Sequence, residues 1–179
     1  MKTLLAFARL IDALNQRVGR AVYWLVLLTV LISAGNAISR KVFDLSSNAF
    51  LEIQWVLFAA TFLLAAGYTL QRNEHVRVDI LSSRLGPRGE AWIDLLGGLF
   101  LLLPFAALVL YHAWSFFVIS FLSGEHSNNP GGLLLWPAKA LIPAGFALLF
   151  LQGVAEIIKR AGFLLGMAPS PQATPDEPA

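Results

Sequence analysis

Four apolar stretches, near residues 21–39, 50–70, 91–122 and 138–158, dominate this chain, and each is long enough to cross the hydrocarbon core of a bilayer. A helix rises about 1.5 Å per residue, so roughly 20 apolar residues span the ~30 Å core with every backbone N–H and C=O paired inside the segment. The alternating polarity that a membrane barrel needs is missing. The expected fold class is all-α: an integral membrane protein with four transmembrane helices, forming one polytopic domain over residues 21–160.

Composition narrows the function classes. Hydrophobic residues make up 57% of the 179, and the 13% that are charged collect between the stretches. The 13 Lys and Arg against 11 Asp and Glu lie at span ends rather than on a contiguous patch, so they read as topology signals and not as a nucleic-acid surface. With no cysteine in the chain, disulfides, thiol nucleophiles and Cys-ligated zinc are excluded.

Charge also predicts orientation. Lys2, Arg9, Arg17 and Arg20 precede the first span, Arg72, Arg77, Arg84 and Arg88 lie between the second and third, and Lys159 and Arg160 follow the fourth. The opposite side holds only Arg40, Lys41 and Lys139. The positive-inside rule then places both termini and the middle connector in the cytoplasm. Trp24, Trp55, Trp92 and Trp136 fall near span ends, where an indole favours the headgroup layer, and Trp114 lies deeper.

Ahead of the first span, Leu4, Phe7, Ile11, Leu14 and Val18 recur at helical spacing with Lys2, Arg9, Asp12, Gln16 and Arg20 opposite. This predicts a separate N-terminal amphipathic interfacial helix over residues 1–20, lying on the inner leaflet against membrane lipids. A cleavable secretory signal competes with that reading, because small residues from Ser33 to Ala37 follow an apolar run. The run is long for a signal, and its removal would leave three spans and a terminus on the wrong side. Residues 161–179, Pro-rich from Ala168 and ending with Asp176 and Glu177, read as a flexible cytoplasmic tail.

The third stretch is too long for a simple span, about 48 Å as one helix. It must overhang or break, with Pro104 as a place to kink. Gly124 to Pro137 is expected to form an ordered external loop that turns at Pro130, Gly131 and Gly132. No internal repeat of the kind that builds a transporter midplane site is visible.

Polar residues inside the stretches are the functional suspects: Asn36 in the first, Glu52 and Gln54 in the second, Asp94 and His112 in the third, Glu156 in the fourth. The four in the second span and at the inner boundary (Glu52, Gln54, Asp94, Glu156) lie within about a turn of a membrane surface, which favours helix pairing or partner contact over ion translocation. Asn36 is expected to make an interhelical hydrogen bond, and Gly97–Gly98 to mark close helix packing. His75 is assigned to the side opposite His112 and His126, so the three histidines do not converge on a nucleophile or metal, and Glu125–His126 reads as an ordinary loop pair. No catalytic residue, cofactor or metal is expected, and the chain reads as a non-enzyme.

The connector from Gln71 to Ile80 is the densest polar segment. Val76, Val78 and Ile80 alternate with Arg77 and Asp79, which predicts a segment docked on the inner helix ends. Here the chain becomes recognisable. Glu52, Gly67-Tyr68-Thr69-Leu70 and the run Asn73-Glu74-His75-Val76-Arg77-Val78-Asp79-Ile80-Leu81 resemble the small membrane subunit of tripartite ATP-independent periplasmic (TRAP) transporters, the DctQ type. Gly124-Glu125-His126-Ser127, then Trp136-Pro137-Ala138-Lys139-Ala140-Leu141-Ile142-Pro143 and the helix from Leu151-Gln152 to Ala155-Glu156, are similar to the same family's third loop and fourth span. The resemblance runs from about Val22 to Arg160.

The resemblance implies a bacterial inner-membrane assembly. A periplasmic solute-binding protein captures an organic acid, a large TRAP membrane subunit moves it with sodium, and the small subunit pairs with the large one as a stationary scaffold. Asn36, Glu52, Asn73, His75, Arg77, Asp79, Asp94, Glu125, Lys139 and Glu156 are the partner-binding or structural candidates. Two other classes stay open: a self-sufficient small exporter, with Glu52 as its acidic residue, and an assembly factor for a membrane complex.

Overall fold

The computed structural model describes residues 2–45, 47–74 and 85–168. Helix α1 (Lys2–Val42) runs 41 residues without a break, α2 spans Asn48–Gln71, α3 (Gly86–Gly97) passes through a π-helical turn (Gly98–Leu102) into α4 (Leu103–Ser123), and α5 spans Trp136–Leu164. Counting Gly86–Ser123 as one helix, all four are long and apolar enough to cross a membrane, and the described residues contain no strand beyond one isolated bridge.

Helix α5 is the hub. It packs on α1 and α2 along one side and on α3, the π turn and α4 along the other, while α1 and α2 touch each other but neither α3 nor α4. The chain thus runs up, down, up, down, with one end carrying residues 43–45, 47 and 124–135 (the loop end) and the other carrying Lys2, Gln71 and Leu164 (the terminal end). Small residues allow the crossings. A Cβ built on Gly145 of α5 would lie 2.6 Å from the Leu63 carbonyl oxygen of α2, so these two backbones touch.

Apolar side chains face outward over most of the length: Trp24, Trp55, Trp92 and Trp114 are all exposed, and the buried apolar core is Ala8, Ile11, Val22, Ala60, Ala91, Ala106, Ala113 and Ala155. A chain whose large apolar residues point out and whose small ones point in is built for a lipid solvent, where packing rather than apolar burial selects the interface.

Several boundaries differ from those read in the sequence. Residues 2–20, expected as a separate interfacial helix, and the first span are parts of one helix. No Gly or Pro occurs between Gly19 and Gly35 to break it, and Ala8, Ile11, Asn15, Gly19 and Val22 form one stripe that stays on the bundle across the expected junction. The stripe also differs from the expected apolar face, because Leu4, Phe7 and Leu14 are exposed. At the other terminus, α5 continues to Leu164 rather than stopping near 160, so the expected tail begins later. Its residues 169–179 lie outside the described residues, as do 75–84, which include the expected docked segment Val76–Ile80.

The third helix is continuous rather than broken. The Leu103 N–H reaches the Gly98 carbonyl, five residues back, and this wider turn sits just before Pro104, which lacks an N–H and would crowd the carbonyl four residues earlier. Of the two glycines expected to mark close packing, Gly98 lies against Ile157 of α5, whereas Gly97 faces open space.

Candidate functional site: a polar clasp at each end of the bundle

At the loop end, residues 124–135 form a small closed structure. Gly124 ends α4 in the left-handed region (φ 60°), where a side chain would be strained, and Gly131 (φ 71°) occupies a similar position in the turn. An antiparallel bridge pairs His126 with Leu134, with Ser127 N–H to Leu133 C=O at 2.9 Å and Leu135 N–H to Glu125 C=O at 2.9 Å. Into this loop projects Glu52 from the second turn of α2, a helix whose N-terminus is capped by the Ser47 hydroxyl. Glu52 Oε1 accepts from the Ser127 hydroxyl and from Asn129 Nδ2 at 2.8 Å, and Oε2 accepts the Leu133 N–H at 2.7 Å. Asn48 Nδ2 donates to the Pro130 carbonyl at 3.1 Å, and the Lys139 ammonium of α5 donates to Glu125. The Lys139 contact holds the Glu125 carboxyl below the usual carboxylate range.

At the terminal end, α1 and α5 share a second cluster. Asn15 and Gln152 are fully buried and joined by Nδ2 to Oε1 at 2.8 Å. Gln152 Nε2 donates to Asp12 at 2.7 Å and Glu156 at 3.0 Å, and Lys159 pairs with both carboxylates, at 3.1 Å from Asp12. One turn away the buried Arg160 guanidinium meets Asp94 of α3 at 3.1 Å. Within this cluster the buried Asn15, Gln152 and Arg160 each meet a partner from another helix, as groups shielded from water require. One exception is Asn15 Oδ1, which has no donor and is pressed against Gly67 of α2.

The ten candidate residues are distributed as follows. Glu52, Glu125 and Lys139 come together at the loop end; Asp94 and Glu156 lie at the terminal end in separate pairs. Among the described residues Asn36 makes no interhelical hydrogen bond: its Oδ1 has no partner, and the bond between α1 and α2 in that region is Ser33 to Gln54 at 2.7 Å. Ser33 lies one turn nearer the terminal end, opposite the Gln54 side chain. Asn73 follows α2 with φ 61°, while His75, Arg77 and Asp79 lie outside the described residues. His112 and His126 are exposed, His112 midway along α4 and His126 in the loop that follows it. Among the described residues no cluster of three or more metal-ligating side chains occurs.

Sequence reasoning passed over Asp12, Asn15, Gln152, Lys159, Arg160, Ser127 and Asn129. A signal for part of the set was present: Asp12 and Asn15 stand three apart, and Gln152, Glu156 and Lys159 stand four and three apart, each set on one helical face. Nothing local says that the two faces meet, across 137 residues of chain between Asn15 and Gln152.

Residues 29–162 match the family model described as Tripartite ATP-independent periplasmic transporters, DctQ component. Neither a curated protein nor a solved structure matches the chain. The matched stretch takes in the whole loop-end clasp and the α5 half of the other one. With its all-helical bundle and four helices of spanning length, this multi-pass membrane chain belongs to the DctQ family and is a small component of a TRAP transporter.

Proposed function

We propose that the chain is the non-catalytic small permease subunit that scaffolds the large TRAP membrane subunit during sodium-coupled uptake of an organic acid delivered by a periplasmic solute-binding protein. It would sit in the bacterial inner membrane with both termini cytoplasmic and the loop end periplasmic. The observation that carries this reading is the occupancy of the carboxylates. Asp12, Glu52, Asp94, Glu125 and Glu156 are each held by donors of the same chain, Glu52 by three of them. A group that carries protons or sodium through a membrane has to exchange partners during the cycle; these groups instead lock helices and loop together. The outward faces also fit an apolar neighbour: a groove between α4 and α5 is lined by Tyr111, Trp114, Phe117, Pro143, Ala144 and Ala147.

The test is reconstitution. Vesicles with the large subunit, a sodium gradient and loaded receptor should take up solute only when this chain is present, and this chain alone should move none. Undiminished uptake without it sinks the scaffold, and proton-driven export by this chain alone establishes the exporter alternative.

A further inference from the structure

Residues 2–20 present three faces, only one of which the bundle uses. Ala8, Ile11, Asn15 and Gly19 turn inward. Phe7, Leu10 and Leu14, spaced at three and four residues, form an exposed apolar strip in which Leu10 is 67% exposed. Lys2, Arg9 and Arg20, seven and eleven residues apart and hence on one side of a 3.6-residue helix, form an exposed basic strip, with Arg17 between it and the apolar one. Three acids at this end are engaged elsewhere, Asp12 and Glu156 by Lys159 and Asp94 by Arg160. Among the described residues none of the four cations is ion-paired. The bundle pairs Asp12, Asp94 and Glu156 with its own Lys159 and Arg160 and leaves a line of positive charge beside exposed leucine and phenylalanine.

From this we propose that the outer flank of residues 2–20 is a binding surface for anionic phospholipid, with Arg9, Arg17 and Arg20 on the phosphates and the exposed Phe7, Leu10 and Leu14 packed alongside the same lipids. Charge complementarity selects this occupant: an apolar strip alone would accept any lipid, but unpaired arginines at its edge discriminate by headgroup. Near an anionic surface each basic residue changes partitioning by about fivefold, and the effect fades within a Debye length. The surface is independent of the scaffold role, since it lies on α1 away from the α4–α5 groove.

The test uses the full chain in vesicles of phosphatidylcholine mixed with phosphatidylglycerol, each spin-labelled in turn, so that the motionally restricted fraction reports which lipid contacts the protein. Wild type should favour phosphatidylglycerol several-fold, and high salt should reduce the preference. A combined Arg9→Gln, Arg17→Gln, Arg20→Gln variant should bring it close to unity with no change in thermal stability, because none of the three is buried. Equal contact of both lipids with wild type overturns the proposal, as does a preference that survives in the variant. It is also overturned if the variant keeps its lipid preference but no longer recovers the large subunit, which assigns the strip to a protein interface.

Discussion

The Glu52 carboxylate of α2 accepts the Leu133 backbone N–H at 2.7 Å across 81 residues of sequence, and with the Ser127 and Asn129 bonds this makes one side chain the anchor of the whole α4–α5 loop. All three partners are donors, so the loop requires an acceptor at this point.

Replacing Glu52 tests the anchor. Glu52→Leu leaves three donors without a partner and should cost about 1–3 kcal/mol, read as a lower midpoint in thermal unfolding and faster hydrogen exchange at the Leu133 amide. Glu52→Gln keeps one oxygen for Leu133, and its amide can donate to the Ser127 oxygen or to a flipped Asn129, so it should lose markedly less. Equal damage from both variants would show that the charge, not the acceptor geometry, holds the loop.

The Glu125–Lys139 pair predicts a pH dependence. Because the folded carboxyl is held below its ordinary value by Lys139, the pair's contribution is complete above the unfolded pKa of about 4.3 and is lost as pH falls through the lowered folded value. Lys139→Met should therefore lower stability near neutral pH while flattening its decline in acid. The effect should be small, since Glu125 is partly exposed. Thermal unfolding of both proteins across the acid range measures it, and parallel curves would refute the coupling.

Two glycine crossings should differ in how they can be rescued. A methyl at Gly67 lands on Asn15 Oδ1, a side-chain atom, whereas one at Gly145 lands on the Leu63 carbonyl. Gly67→Ala should cost about 1–3 kcal/mol and combine with Asn15→Ala to less than the sum of the two, because the second change removes the nearest obstacle and leaves only the Leu148 carbonyl at 3.1 Å. Gly145→Ala should cost a similar amount, and Leu63→Ala should not offset it. A double-mutant cycle in unfolding free energy reads both.

Sidedness can be checked by thiol labelling, as no native cysteine interferes. His126→Cys at the loop end should react with an impermeant reagent from the periplasmic face, and Asn73→Cys should not. Labelling of both from one face would remove the proposed orientation.

The number and approximate placement of the four long helices follow from the sequence alone, because a helix crossing lipid must be apolar over a length set by the bilayer and must satisfy its own backbone. The residues nominated at the loop end were legible for the same reason, being the few ionisable groups near span ends. What only the tertiary structure decided is which face of each helix turns inward. In water, hydropathy reports the buried side; in lipid, the exterior is as apolar as the interior, so the Phe7–Leu10–Leu14 strip and the Ala8–Ile11–Asn15 strip cannot be ranked by it. The closing of Asn15 on Gln152 and of Glu52 on Leu133 was hidden for a related reason: each pair is a long-range match of donor and acceptor, decided by where small residues such as Gly67 and Gly145 let helices approach, and no local pattern encodes that meeting.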